Sequence, residues 1–438
     1  MFSLSSFIFL FILSASIYLF YRNIRKIFSN ISLGKKNLTF SNQRERWKRV
    51  IFIAFGQSKM FKKPLVAILH LIVYVGFIVI NIELIEIIID GLFGTHRVLS
   101  FIGVGYNFLI ASFEILAFLV LFAVILFLIR RNIIKVKRFF SPEMKGWPTL
   151  DGNLILIFEI LLMSAFLTMN AADLILQDKD PAHYPQVGAF PVSSFISPLL
   201  INLSVENLIF IERFCWWFHI VGILAFLNYL AISKHLHILL AFPNTYYSNL
   251  NPKGQFNNMD SVTNEVKMML DPSVDPFAQP QNPNPERFGA KDATDLNWLQ
   301  LLNAYSCTEC GRCTSECPAN TTGKKLSPRK IMMDVRDRIE EIGHFKQKKG
   351  DDFKDGKSLL NDYVSPEELW ACTSCNACVE ACPINIDPLS IIIDLRRYLV
   401  MEESAAPSEL NSVFNNIENN GAPWQLPTTD RLKWKDDE

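Results

Sequence analysis

Two cysteine runs carry the most specific chemistry in this chain: Cys307-x2-Cys310-x2-Cys313-x3-Cys317-Pro318 and Cys372-x2-Cys375-x2-Cys378-x3-Cys382-Pro383. Thiolates at i, i+3 and i+6 wrap three corners of a cubane, and the fourth cysteine, followed by proline, reaches a second cluster. The spacing therefore predicts two [4Fe–4S] clusters. One uses Cys307, Cys310, Cys313 and Cys382; the other uses Cys372, Cys375, Cys378 and Cys317. A zinc site needs two pairs with a longer gap and leaves two matching fours unexplained. Eight of the nine cysteines fall between Cys307 and Cys382, so their work is local and not that of a disulfide scaffold. Cys215 stands alone in an apolar stretch and reads as packing.

Histidines within apolar sequence form the second group, since polar side chains inside a bilayer are costly and usually functional. His70 follows Lys62-Lys63-Pro64 by about one and a half helical turns, His219 ends Cys215-Trp216-Trp217-Phe218-His219, and His237 ends Ser233-Lys234-His235-Leu236-His237. Facing helical histidines can hold b-type haem through two axial imidazoles. On one continuous helix, His219 and His237 share a face ~27 Å apart, and His235 points to nearly the opposite side. Depth then pairs His70 with His237 for a haem near the cytoplasmic face. His219, at the other side, meets only Ile80 and Asn81 at its depth on the second span, which leaves the loop residues His96 and His183 as sources of a partner. The competing reading makes these histidines interfacial, capped by headgroups or backbone, and it fits His235 best. Of the acidic residues, Glu83, Glu86 and Asp173 fall toward the outer ends and read as snorkelling, whereas Glu114 and Glu159 lie deeper and are candidate proton or quinone contacts.

These residues need a membrane scaffold, and the composition provides one. Half the chain is hydrophobic and 20% is charged, with a mean hydropathy of +0.19. Formal charge is zero, which gives no bulk electrostatic case for nucleic-acid binding. Five apolar stretches reach the ~20 residues needed to cross a bilayer, at about 4–20, 64–89, 101–129, 150–176 and 209–242. The first reads as a retained helix, because no basic residue precedes it and no small-residue cleavage site follows. Residues 21–63 carry twelve Lys/Arg and 130–149 carry six, whereas 90–100 and 177–208 carry one each. The positive-inside rule then puts the N-terminus outside and everything after 242 in the cytoplasm, where thiols stay reduced.

Beyond the last span, residues 243–294 are rich in Asn, Pro, Asp and Gln and read as a linker, with periodicity only at 262–270. Residues 295–438 hold the cysteine module. A short helix at 295–304 leads into the first run, and Ser327-Pro328 and Ser365-Pro366-Glu367-Glu368 are helix starts between the runs. The fold class is thus mainly α: a five-helix transmembrane bundle, residues 1–242, plus an α-helical dicluster ferredoxin-like cytoplasmic domain.

With His70, His219 and His237 at matching helical positions, residues 1–242 resemble the cytochrome b subunit of respiratory nitrate reductase. That family holds two haems b with four histidines, two of them from the second span. Here Ile80 stands where the second would be, so the resemblance implies one inner haem and leaves the outer one without its usual ligand. The last 140 residues, through the two cysteine runs and the tail Asn415-Asn416-Ile417-Glu418-Asn419-Asn420-Gly421-Ala422-Pro423-Trp424, resemble the dicluster part of heterodisulfide reductases and the related parts of succinate and anaerobic glycerol-3-phosphate dehydrogenases. The Cys-Cys-Gly repeats that build the heterodisulfide reductase active site are absent from this sequence.

No nucleophile, flavin fingerprint or substrate pocket is recognisable, so no catalytic residue is assigned. The expected role is an electron-transfer subunit in a bacterial or archaeal cytoplasmic membrane. It links the quinone pool, via haem b and two [4Fe–4S] clusters, to a cytoplasmic catalytic subunit that supplies Cys-Cys-Gly repeats or another substrate domain. The alternatives are a haem-free membrane anchor for a soluble iron–sulfur oxidoreductase and a redox sensor, although no output domain is visible for the latter.

Overall fold

The computed structural model describes residues 4–271, 273, 287–350 and 354–436. Among them the chain is helical, and β-structure is confined to two isolated bridges. Helix α1 (Leu4–Ile31) is followed by the short α2 (Gln43–Arg49), then by α3 (Pro64–Phe93), α4 (Val104–Asn132), α5 (Trp147–Lys179) and α6 (Val205–Leu230). Helices α1 and α3–α6 are long and apolar enough to cross a membrane, which matches the five stretches expected. Their ends follow local chemistry. Pro64 opens α3 with its φ already helical, Gly94 closes it at φ 69°, and the Ser204 hydroxyl accepts from the Asn207 amide to start α6.

The fifth span departs from expectation. Hydropathy predicts one helix over residues 209–242, but α6 stops at Leu230, a 3₁₀ turn covers Lys234–Leu236, and α7 (His237–Tyr247) starts afresh. Ser233 is extended, and its hydroxyl accepts the His235 amide that a continuous helix would have used. Asp151 on α5 fixes the break, accepting from the Lys234 amide at 3.0 Å and from the Tyr229 hydroxyl at 2.5 Å. The helical-wheel relation among His219, His235 and His237 therefore does not hold.

The cysteine module follows: α8 (Asp260–Leu270), α9 (Trp298–Ser306), α10 (Arg312–Ser315), α11 (Pro318–Thr321), α12 (Pro328–Lys349), α13 (Pro366–Trp370), α14 (Ala377–Ala381), α15 (Pro388–Met401) and α16 (Ser408–Asn420). Both predicted Ser-Pro starts are present. Ser327 caps α12, and Ser365 with Glu368 makes a reciprocal capping box on α13. Residues 272 and 274–286 of the expected linker lie outside the described residues. Its first part is no free tether, since α7 packs on α9.

Module and bundle share one core. Ile27 and Ile31 at the end of α1 and Leu240 of α7 pack with Leu301, Val335 and Leu395 of the module. Asn30 donates to the Tyr305 hydroxyl at 2.9 Å. A Cβ on Gly34 would stand 2.7 Å from the Trp298 amide nitrogen, so the bridge joining Lys35 to Asn297 depends on a bare glycine there. The two basic loops, 21–63 and 130–149, meet the module, while 90–100 and 177–208 lie at the opposite end of the bundle.

Candidate metal centres

The two cysteine runs share a backbone pattern that the spacing alone did not reveal. Two residues after the first cysteine of each run, Glu309 and Ser374 take φ of 54° and 55°; two further on, Gly311 and Asn376 take 70° and 60°. Each run then enters a short helix, α10 or α14, that carries its third cysteine, and the fourth sits at a helix boundary before proline. Successive left-handed residues turn amides inward into an anion-binding concavity. The Ser374 amide reaches Cys372 Sγ at 3.4 Å and the Ile386 amide reaches Cys382 Sγ at 3.3 Å. Such N–H···S bonds favour thiolate, the form that ligates metal.

Cysteines of the two runs stand near one another across the module, Cys313 near Cys378 as well as Cys382. Cys307, Cys310, Cys313 and Cys382 lie within electrostatic reach of one another. Cys317, Cys372, Cys375 and Cys378 line one small void with Leu326, Pro328 and Ile392. Burial pushes the Cys307 thiol up to about 12 and that of Cys382 to about 11, with neighbouring thiols adding to the rise. For Cys307 and Cys382 that rise favours the thiol, so metal binding there would release protons. Among the described residues no three such side chains converge on a single ion. Cys215 is buried in the bundle core and belongs to neither set.

Three histidines, His70, His235 and His237, gather at the module end of the bundle. The rings of His70 and His237 lie 6.5 Å apart, centroid to centroid, at 45°. Nδ1 of His70 is 3.0 Å from Gln57 Oε1, and Nδ1 of His237 is 3.1 Å from the Lys234 carbonyl. Facing an acceptor oxygen, each Nδ1 carries the proton of a neutral ring and leaves its Nε2 unprotonated. His235 does not point away, as expected for a continuous helix: its ring lies 5.5 Å from that of His237 and packs on Phe226 at 5.4 Å. His219 is buried, with Nδ1 3.0 Å from the Leu162 carbonyl and its ring 5.8 Å from Phe166. His96 has both ring nitrogens engaged, by Asp173 and Arg213, and His183 is exposed beside Asp180.

Charged residues that sequence reasoning passed over join the two centres. Lys234 donates to Glu309 at 2.5 Å, inside the first cysteine loop, and Arg336 donates to the same carboxylate at 2.9 Å. Burial opposes the Glu309 charge, but these two cations overcome it and hold the carboxyl below its ordinary value. Lys59 donates to the carbonyls of Val379 and Cys382, both at 3.2 Å. Arg312 reaches the Lys59 carbonyl at 3.4 Å and stands within electrostatic reach of His70. Arg329, fully buried, donates to Glu143 and to the Arg138 carbonyl, both at 2.7 Å, and so ties the loop between α4 and α5 to α12. The only sequence signal for these was position, a charge inside a cysteine run or beside a histidine.

The acidic residues at the far end are not snorkelling. Glu83, Glu86 and Asp173 are all buried; Arg97 folds in from its loop to meet Asp173 at 2.6 Å and Asn170 at 2.9 Å, whereas Glu83 Oε2 has no hydrogen-bond partner. Tyr106 donates to Glu86 at 3.0 Å. Glu114 is satisfied by Asn170, by the amides of Val192 and Ser193, and by the Ser193 hydroxyl. Glu159 is half-buried on α5, away from this network.

Residues 306–386 match the 4Fe–4S dicluster domain. Over 98% of its length the chain is 30% identical to the probable iron-sulfur-binding oxidoreductase FadF of Bacillus subtilis, covering 60% of that protein. Over 89% of its length it is 27% identical to the EtfAB:quinone oxidoreductase of Syntrophomonas wolfei, covering 54% of it. A shorter stretch, 24% of the chain, is 35% identical to one subunit of the ferredoxin/F(420)H(2)-dependent CoB-CoM heterodisulfide reductase of Methanosarcina acetivorans, covering 52% of that polypeptide. The chain thus spans less than two thirds of each of these relatives. No solved structure matches it. It carries a 4Fe–4S dicluster domain beside five apolar helices, and it is homologous to iron–sulfur oxidoreductases and to heterodisulfide reductase subunits.

Proposed function

We propose that this chain is a membrane electron-transfer subunit that links a quinone pool, via haem b and two [4Fe–4S] clusters, to a cytoplasmic redox partner. The observation that carries this reading is the pairing of His70 with His237. Their ring centres are 6.5 Å apart with both Nδ1 atoms already engaged, so the two Nε2 atoms would be the ones to hold the iron of a haem bound between them. Gln57 and the Lys234 carbonyl then act as the orienting partners that axial histidines need. Haem b and [4Fe–4S] clusters, when bound, each carry single electrons.

The cysteines hold the cluster positions as the two crossed sets, with left-handed turns aiming amides at sulfur. His219 has the same engaged Nδ1 and is the candidate ligand for a second haem, whose opposite ligand is unassigned because His96 is committed elsewhere. The two basic loops flank the module, so the positive-inside rule favours a cytoplasmic module. The Syntrophomonas relative is named for EtfAB and quinone, which supports a quinone as one redox partner. The remaining length of the relatives, or a separate subunit, is the place for a substrate domain such as Cys-Cys-Gly repeats.

A reduced-minus-oxidised spectrum of the purified full chain tests the reading. A b-type α-band that a menaquinol analogue also produces, and that His70→Ala removes while cluster iron is retained, is the expected result. A chain with full cluster iron and no α-band is a bare anchor.

A further inference from the structure

We propose that three unpaired cations, two of them from the basic loops of the bundle, are the counter-charge of one cysteine set. Lys59, Arg138 and Arg312 would then give the cluster held by Cys307, Cys310, Cys313 and Cys382 a higher reduction potential than the cluster held by Cys317, Cys372, Cys375 and Cys378. The inference rests on the dicluster part of the reading above and not on the haem.

The charges around the first set do not cancel. Lys59, in the loop before α3, donates to the carbonyls of Val379 and Cys382 and lies within electrostatic reach of the Cys382 sulfur. Arg138, in the loop between α4 and α5, is within reach of Cys310. It also packs on the cysteine loop, where a Cβ added to Gly311 would stand 3.4 Å from its own Cβ. Arg312 is buried, lies between Cys310 and Cys313 in sequence, and reaches the Lys59 carbonyl at 3.4 Å. Among the described residues none of the three makes an ion pair, and Nε of Arg138 is buried without a hydrogen-bond partner. The carboxylates nearby are taken by other cations. Lys62 and Lys253 hold Glu380 at 2.6 and 2.5 Å, Arg329 holds Glu143 at 2.7 Å, and Lys234 and Arg336 share Glu309.

The second set has no such excess. Arg396 donates to the carbonyls of Leu369 at 2.6 Å and Cys372 at 2.5 Å and is within electrostatic reach of the Cys372 sulfur. Against it stands the half-buried Asp387, within reach of Cys378 and without an ion-pair partner among the described residues. One cation and one anion balance.

Reduction adds an electron to a cluster that four thiolates already make negative, and a nearby cation stabilises the reduced form more than the oxidised one. Amide bonds to sulfur act in the same sense and do not reverse the ranking: Glu309, Ile384 and Ile386 serve the first set, Ser374 and Val379 the second. Solvent at the exposed Cys375 favours the second set, but Cys310, Cys313 and Cys382 are part-exposed as well. The three unpaired charges therefore decide. Lys59 and Arg138 belong to the two Lys/Arg-rich loops, 21–63 and 130–149, so the residues that orient the bundle also tune the module. An added electron then rests preferentially at the end beside His70, which Arg312 also reaches.

An EPR-monitored redox titration of the purified full chain in detergent tests this, with iron and sulfide measured on every variant. Wild type should be reduced in two waves. Lys59→Gln, Arg138→Gln and Arg312→Gln should each shift the upper wave to lower potential and leave the lower one in place. At the wild-type midpoint the reduced-to-oxidised ratio should fall about threefold to tenfold, a tenfold change being ~59 mV for one electron. Lys59→Arg and Arg138→Lys keep the charge and should restore the wild-type wave, which a packing role alone would not do. Arg396→Gln should move the lower wave instead. Lys59 and Arg138 sit on separate loops, so either decides the outcome if the other variant loses iron, and Arg396→Gln decides the ranking if both do. Coincident waves in wild type, an unmoved upper wave in glutamine variants that keep full iron, an equal fall in Arg138→Lys and Arg138→Gln, or movement of the upper wave by Arg396→Gln overturns the proposal. Wild type purified without cluster iron overturns the dicluster reading instead.

Discussion

Lys234 touches both centres at once: its ammonium lies 2.5 Å from Glu309 in the first cysteine loop, and its carbonyl accepts from Nδ1 of His237 at 3.1 Å. A single residue thus fixes the position of the cysteine loop relative to the histidine pair. The ion pair is buried on both sides, so removing one partner strands the other in low dielectric.

Lys234→Met should therefore destabilise the protein by about 3 kcal/mol, the lower end of the range for a broken buried pair, because Arg336 still neutralises Glu309 at 2.9 Å. Glu309→Gln in the same background should add little, giving a coupling energy on the order of 1–3 kcal/mol in a double-mutant cycle. Urea unfolding followed by tryptophan fluorescence measures it. Additive losses would show that the two side chains do not act as a pair.

His237→Ala and His70→Ala should each abolish the α-band of the inner haem, whereas His235→Phe should keep it. The His235 ring packs on Phe226 and edge-on to His237, so a phenyl ring fills its place. Loss of the band in His235→Phe with retention in His237→Ala would reassign the axial ligand to His235, which the break in the fifth span brings close enough to serve.

Iron and sulfide should each be found at about eight per chain, the content of two cubanes. Cys215→Ser should leave both unchanged, since that thiol is packed in the bundle core. Stoichiometric zinc, or iron near two per chain, counts against the assignment.

What could be read from the sequence was what local chemistry decides. The cysteine runs, the Ser-Pro helix starts and the five apolar helices are each set by residues within one or two turns of one another. The break after Leu230 was not legible, because the group that fixes it, Asp151, lies 83 residues from Lys234. The same holds for Glu86 and Asp173, which read as interfacial until Arg97 is seen to fold back from its loop and join Asp173 and Tyr106 in a buried network.

The cysteine module should also carry a pH-dependent stability of a definite sign. On α12 the Lys330 ammonium meets Asp334 at 2.7 Å and Glu368 at 3.0 Å, one cation between two carboxylates. Burial, aided by the Glu368 charge and opposed by Lys330, pushes the Asp334 carboxyl up to about 7. The unfolded chain releases that proton near pH 4, so between pH ~4 and ~7 the folded state binds more protons and stability falls as pH rises, then levels off. Asp334→Asn removes the titration while keeping an oxygen for Lys330. Its stability relative to wild type should rise across that window and reach a gain of roughly 1–3 kcal/mol at pH 8, with no gain at pH 4. Urea unfolding of the holoprotein at both pH values checks it. A difference between variant and wild type that stays constant with pH would mean that Asp334 is ionised throughout and that Lys330 satisfies both carboxylates.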